Sequence, residues 1–340
     1  MFDDDFGYEE KSCLAPAPFK VFPIKVNGTD WSMHLEWVHQ PRTALIIEKI
    51  HDPESRHYLI KSAEFLFHQR KFAVFVERYA YKELQNFSYL HPFDNETNSQ
   101  HVDFVLAFGG DGTLLHISTL FPNDCPPIMP FAMGSLGFLT PFLADDYQQC
   151  IDDLILGFFA VTTRTRAIGT IVRSNGTIEE HQILNDITLK SSFTDSICAI
   201  DCFIDGKFFT TIYGDGLIVA TSTGSTAYNL SAGGPMLHPS VSSLLWTPIC
   251  AHSLNAHPLV LPDSVELTLA VSPQARINEY NAVFDSFKTK IEKGDKIIIK
   301  TSPHPLPTVC QQIAMIDWLN SISKVLRWNQ PMRNLMVDDV

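Results

Sequence analysis

The stretch "LAFGGDGTLLH", residues 106–116, decides how the chain begins to fold. Phe104, Val105, Leu106, Ala107 and Phe108 form an apolar run that reads as a buried strand. A helical pattern, "TLLHISTLF", starts at Thr113. Between the two lie Gly109, Gly110 and Gly112, wrapped around a single acid, Asp111. Glycines at a strand end let a ligand approach bare backbone. The free N–H groups of the following helix attract anions, and ligands of parallel sheets gather at strand carboxyl ends. Gly109, Gly110, Gly112 and Thr113 are therefore candidate phosphate binders. The named fingerprints do not fit. "GDGTLL" has no third glycine of G-x-G-x-x-G, and "GGDGTL" lacks the Lys-Ser/Thr of a P-loop. Asp111 is the misfit. A carboxylate beside phosphate is repulsive unless it holds a cation or takes a proton. A base for a hydroxyl attacking phosphorus meets that condition. The alternative is a helix cap made to the amides of Thr113 and Leu114.

Working outward, the first half alternates strands and helices. "ALIIEKI", "FAVFV", "DFVLAFG" and "PIMPFA" read as strands, and Leu59, Ala63, Leu66 and Phe67 mark a helix over 55–70. This predicts an α/β domain with a parallel sheet covered on both faces. Residues 88–101 read as a polar loop, and 1–40 as a loosely ordered extension with Pro16, Pro18 and Pro23. After a helix near 145–158 the pattern changes. Strand pairs flank Asn175-Gly176 and Asp205-Gly206, both hairpin signals. This predicts a β-rich second domain, mostly antiparallel. The assigned bounds are 1–40 extension, 41–148 α/β domain, 149–311 β-rich domain and 312–340 a last helix. Ile313, Ile316, Leu319, Ile322 and Leu326 give that helix an apolar side, predicted to pack on the α/β domain.

Bulk properties narrow the function classes. The chain has 340 residues, a formal net charge of −13 and 45% hydrophobic residues. Such acidity argues against a nucleic-acid or anionic-membrane partner. No apolar run reaches the ~18 residues of a membrane span. The acidic start, "MFDDDFGYEEK", has neither a signal core nor a transit composition, so a cytoplasmic location is expected. Seven scattered cysteines do not make a disulfide framework. The 13 histidines form no H-E-x-x-H motif, and no metal ligand is assigned.

Two further motifs join the first. Residues 213–235, "YGDGLIVATSTGSTAYNLSAGGP", are dense in hydroxyls and glycine after a strand, which suits ribose, phosphate and base edges. "NDITL", 185–189, opens another strand with Asn185 and Asp186. Together with "GGDGTLLH" (109–116), "GSLGFLTPF" (134–142), "PICAHSLNAHPLVLP" (248–262) and "DWLNSISKVLRWN" (317–329), these resemble the NAD kinase family over residues 42–330. The last two stretches are similar to eukaryotic members.

The resemblance implies phosphorylation of the 2′-hydroxyl of the adenosine ribose of NAD by ATP, giving NADP. It also implies Mg²⁺ or another divalent cation, and a homodimer or homotetramer. By position, Asp111 is the implied catalytic acid that activates the 2′-hydroxyl. Gly110 and Gly112 would admit phosphates, with Gly112 also beside NAD. Phe138 would lie against the dinucleotide. Asn185 and Asp186 would hold the adenosine side. Thr223, Ser225, Thr226, Ala227 and Tyr228 would line the nucleotide pocket, and Asp215 would face the nicotinamide end. Three positions depart from the family pattern: Ser286 where Phe-Asp-Gly is usual, His257 where Arg is usual, and Asp186 where Glu is common. Two rivals remain. A diacylglycerol or sphingosine-type lipid kinase shares the first motif but leaves 213–235 unexplained. A non-catalytic NAD-binding sensor has no use for Asp111.

Overall fold

The computed structural model describes residues 19–26, 30–134, 136–192, 196–311 and 314–328. The strand Phe104–Phe108 lies near the middle of a ten-stranded sheet. On one side it pairs in parallel with Thr43–Glu48, which continues to Ala73–Glu77 and Leu90–Phe93. On the other it pairs in parallel with Ile128–Ala132. All five residues of Phe104–Phe108 are buried, because both sheet faces are covered. The alternation of strand side chains divides them. Leu106, Phe108, Ile46 and Val74 join one core cluster. Val105, Ala107, Leu45 and Phe75 join another with Leu114 and Ile117 of the helix Asp111–Leu120.

The second unit is a pair of six-stranded antiparallel sheets. Their facing sides share one core containing Ile187, Leu189, Ile200, Trp246, Tyr280 and Ile297. The hairpin at Asp205-Gly206 has both residues at positive φ, 49° and 73°, the requirement of a two-residue primed turn. Gly176 likewise takes φ 88° between Ala167–Val172 and Ile178–Ile183.

Three expectations need correction. Residues 88–101 are not a plain loop: Leu90–Phe93 is an edge strand of the large sheet, followed by a short helix, Asn95–Asn98. The 1–40 segment is not wholly an extension, since Phe19–Val26 and Asp30–Trp37 form a hairpin at the other edge. Leu35 is buried there, and the Trp37 indole Nε1 donates to Leu154 O at 2.7 Å. Residues 1–18 of that segment lie outside the described residues.

The third correction concerns the domain limits. Ala160–Arg164 and Leu306–Cys310, both placed in the β-rich domain by sequence, are strands of the large sheet. They pair with each other, and Leu306–Cys310 also meets Ile128–Ala132. The chain therefore leaves the first unit at Arg164 and re-enters it at Leu306. The last helix is Ala314–Val325. It buries Ser321 and Ile322, and Trp318 meets the His238 ring edge-on at 5.2 Å. Ile313 lies outside the described residues.

Candidate active site

The glycine turn sits at the carboxyl end of Phe104–Phe108. Gly110 occupies the N-cap of the helix Asp111–Leu120 with no side-chain cap. Asp111 is the first helical residue. Its Oδ1 accepts from the Leu139 N–H at 3.0 Å instead of capping its own helix. The Thr113 N–H bonds to the Gly110 carbonyl. Asp111 therefore does not make the helix cap that the alternative reading expects.

Room is distributed unequally among the glycines. A Cβ at Gly110 or Gly112 would meet nothing within 4 Å, and both residues are exposed. Gly109 is different. It is buried, and a Cβ there would stand 2.1 Å from Thr113 Oγ1. Gly109 and Thr113 thus pack on each other and shape the turn; they do not face the open side as the sequence reading expects. Gly137 is held close as well, since a Cβ would come 2.5 Å from Asp111 Oδ1. That contact is why "GSLGF" needs glycine at 137. Phe138 is half-buried beside Asp111.

Burial pushes the Asp111 carboxyl up from the ordinary aspartate range. The Leu139 and Phe138 N–H groups and the charge of Arg164 pull the other way. Arg164 was not singled out by sequence.

The second motif is built on a strand inside a sheet of the second unit. Gly216–Thr221 pairs with Asp186–Ser191, placing Asn185 beside the loop that starts at Ser222. The Thr221 N–H bonds to Asn185 O at 2.9 Å, and Thr221 Oγ1 donates to Leu184 O at 2.5 Å. Gly224 then presses on Asn185, where a Cβ would lie 2.1 Å from its carbonyl oxygen. Thr226, Ala227 and Tyr228 are half-buried on this loop. Thr223 Oγ1 is buried with no partner among the described residues, a polar atom left for a ligand to satisfy. Ser225 is placed otherwise than expected. It is fully buried, and its hydroxyl accepts from the Leu237 N–H and donates to Leu237 O. It fastens the loop and presents nothing to a ligand. Asn229, which sequence reasoning missed, is equally buried. It donates to Ser225 O and Pro235 O and accepts from Thr247 Oγ1.

The Phe284-Asp285-Ser286 departure has a clear geometry. Asp285 takes φ 50°, while Ser286 is not among the positive-φ residues. Serine is therefore tolerated where glycine is usual. The Asp285 carboxylate accepts the backbone N–H groups of Leu184, Asn185 and Asp186 at 2.7, 2.9 and 3.0 Å. It holds the Asn-Asp pair in place. Burial, and then the Asp285 charge, push the Asp186 carboxyl up to about 7. Asp215 stands apart. It is exposed at the start of Gly216–Thr221, six residues and roughly 20 Å of strand from Thr221. Tyr228 reaches toward that end, where its hydroxyl meets Lys190 Nζ, and Lys190 pairs with Gly216.

The model of the ATP-NAD kinase N-terminal domain matches residues 44–159, and that of the ATP-NAD kinase C-terminal domain matches 184–310. The second match spans the long motif that a lipid kinase leaves unexplained. A mitochondrial NADH kinase of Schizosaccharomyces pombe is 30% identical over 91% of this chain and 81% of its own. The chain belongs to the ATP-NAD kinase family. A probable NAD kinase of rice is 38% identical over 87% of this chain and 58% of its own. The chain thus spans little more than half the length of that relative. The crystal structure of yeast NADH kinase complexed with NADH superposes with a TM-score of 0.82. That match has 26% identity and covers 89% of this chain and 92% of the other. In the family's terms, the first unit carries the glycine turn and the second the long nucleotide motif.

Proposed function

We propose that the chain transfers the γ-phosphoryl group of ATP to the 2′-hydroxyl of the adenosine ribose of NAD or NADH, giving NADP or NADPH and ADP. The observation that carries this reading is Asp111. It is a half-buried carboxylate at a helix start that it does not cap, and the glycines on either side of it leave open space. Asp111 takes the hydroxyl proton as the ribose oxygen bonds to the γ-phosphorus and the bond to the ADP oxygen breaks. The N–H groups at Gly110 and Gly112 face the phosphates, and the helix dipole favours their charge. Asn185, Asp186, Thr223, Thr226, Ala227 and Tyr228 hold the dinucleotide, with Phe138 against it. Asp215 is proposed for the nicotinamide end. Its separation along the strand suits an extended ligand.

Among the described residues, no three His, Cys, Asp or Glu side chains converge as a metal site. We therefore assign no protein cage for a divalent cation among those residues. Mg²⁺ is proposed to arrive with the ATP phosphates, and no step here runs through it.

A homo-oligomer is also proposed. Phe208, Phe209, Tyr213 and Val260 are exposed near a groove of about 730 Å³ in the second unit. No described helix is long and apolar enough to cross a membrane. The cytoplasmic location stays a proposal for fractionation to decide, because relatives include mitochondrial and chloroplastic proteins. The decisive assay crosses two acceptors, NAD and NADH, with two donors, ATP and polyphosphate. Formation of NADP or NADPH with ATP is expected. No product from any of the four pairs would overturn the reading.

A further inference from the structure

We propose that Arg164 is a positioning residue for this phosphoryl transfer: its buried guanidinium, which lines the same small cavity as Phe138, supplies the positive charge that lets Asp111 act as a carboxylate. The inference rests on the reading of Asp111 given above.

Arg164 ends the strand Ala160–Arg164 and is only 8% exposed. Nε donates to Thr308 Oγ1 at 2.9 Å. Nη1 is buried and has no hydrogen-bond partner among the described residues. The side chain lines a small cavity whose wall includes Phe138, His238, Asp317 and Trp318. Phe138 and Leu139 present their N–H groups to Asp111, so the guanidinium and the carboxylate flank the same loop.

A buried guanidinium without a carboxylate of its own is costly to desolvate. Burial accordingly lowers the Arg164 pKa, and the charges of Asp111 and Asp317 act against that. The other titratable groups near it do not substitute for Asp111. The Cys310 thiol is pushed up to about 11 by burial and is uncharged at neutral pH. His238 packs edge-on against Trp318. Lys49, beside Gly109, is paired with Asp52 at 3.0 Å. Arg164 is thus the charged group that acts on Asp111 from outside its own helix.

The test is the pH profile of kcat with NAD and ATP for wild type, Arg164→Met, Arg164→Gln, Arg164→Lys and Asp111→Asn. Loss of the charge should raise the Asp111 pKa and move the acidic limb of Arg164→Met up by about one pH unit or more. Above that limb, kcat should return to within about threefold of wild type. Arg164→Lys keeps the charge and should leave the limb in place. Arg164→Gln removes the charge while keeping a polar side chain and should move the limb up as Arg164→Met does. A loss of kcat by one constant factor at every pH, with the limb unmoved, would overturn the proposal and leave Arg164 a packing residue. If Arg164→Met does not fold, Arg164→Gln, which keeps polar nitrogen but no charge, decides by the same readout, and an unmoved limb counts against the proposal. Undiminished kcat in Asp111→Asn would instead overturn the underlying reading of Asp111.

Discussion

At the scale of single residues, Asp111 carries the sharpest prediction. Asp111→Asn preserves size and hydrogen bonding but removes basicity. Its kcat should fall by ~10²–10⁴-fold with NAD affinity kept within a few-fold. Steady-state kinetics beside calorimetry with NAD measures both. Asp186 supplies a second prediction, in stability. The unfolded chain releases this proton near 3.8 and the folded chain near 7. Between those values the folded state holds the extra proton, so stability is lost as pH rises through the window. Asp186→Asn fixes the uncharged form. Its urea midpoint should match wild type near pH 4 and exceed it at pH 8, by up to about 4 kcal/mol of stability. Equal pH dependence of the two proteins would contradict it. Asp111 was legible in the sequence because an acid among phosphate-type glycines is chemically out of place. Arg164 was not, since an arginine between threonines carries no local sign of burial. Its burial depends on a strand more than 140 residues further on.

At the scale of elements, glycine punctuation marked the strand-to-helix turn and both hairpins. What it missed has a common cause. Leu90–Phe93 and the 19–37 hairpin lie at sheet edges and contain Pro92 and Pro23. Proline is admitted at edges, where one side of the strand needs no ladder bonds, so those strands read as loops. The fit of the 222–228 loop on Asn185 gives the prediction proper to this scale. Gly224→Ala sets a methyl against a backbone oxygen 2.1 Å away, and neither side is a flexible side-chain end. Overpacking of this kind costs typically 1–3 kcal/mol. The variant should melt earlier and bind NAD at least tenfold more weakly, as seen by thermal scan and calorimetry. Wild-type affinity would mean that the loop does not set Asn185.

For the whole molecule, the edge hairpin and the exposed aromatic strand each predict a measurement. Deleting residues 1–38 removes Leu35 and Trp37 from the first core. The truncated chain should lose stability by several kcal/mol, given about 1.5–3 kcal/mol per fully buried large side chain. At low temperature it should keep its kcat, because none of the site residues lies in that segment. An unchanged melting temperature would show that the hairpin contributes no stability. The homo-oligomer is tested by light scattering at micromolar concentration. A mass of 38.2 kDa, that of one chain, would refute it.

The strands Ala160–Arg164 and Leu306–Cys310 pair side by side, with Leu306 opposite Arg164. The nucleotide-motif unit is therefore slung from the first by two adjacent tethers, like a door on a pair of hinge plates. Just past the first plate, Arg166 bolts the units together through the carbonyls of Ser118, Phe121 and Asn123. Arg164 stands on one plate, and Thr308, which its Nε holds, stands on the other. The two plates cannot separate without breaking the bond that clamps Arg164 to Thr308. The joint between the units and the charge that acts on Asp111 thus share one point in the molecule.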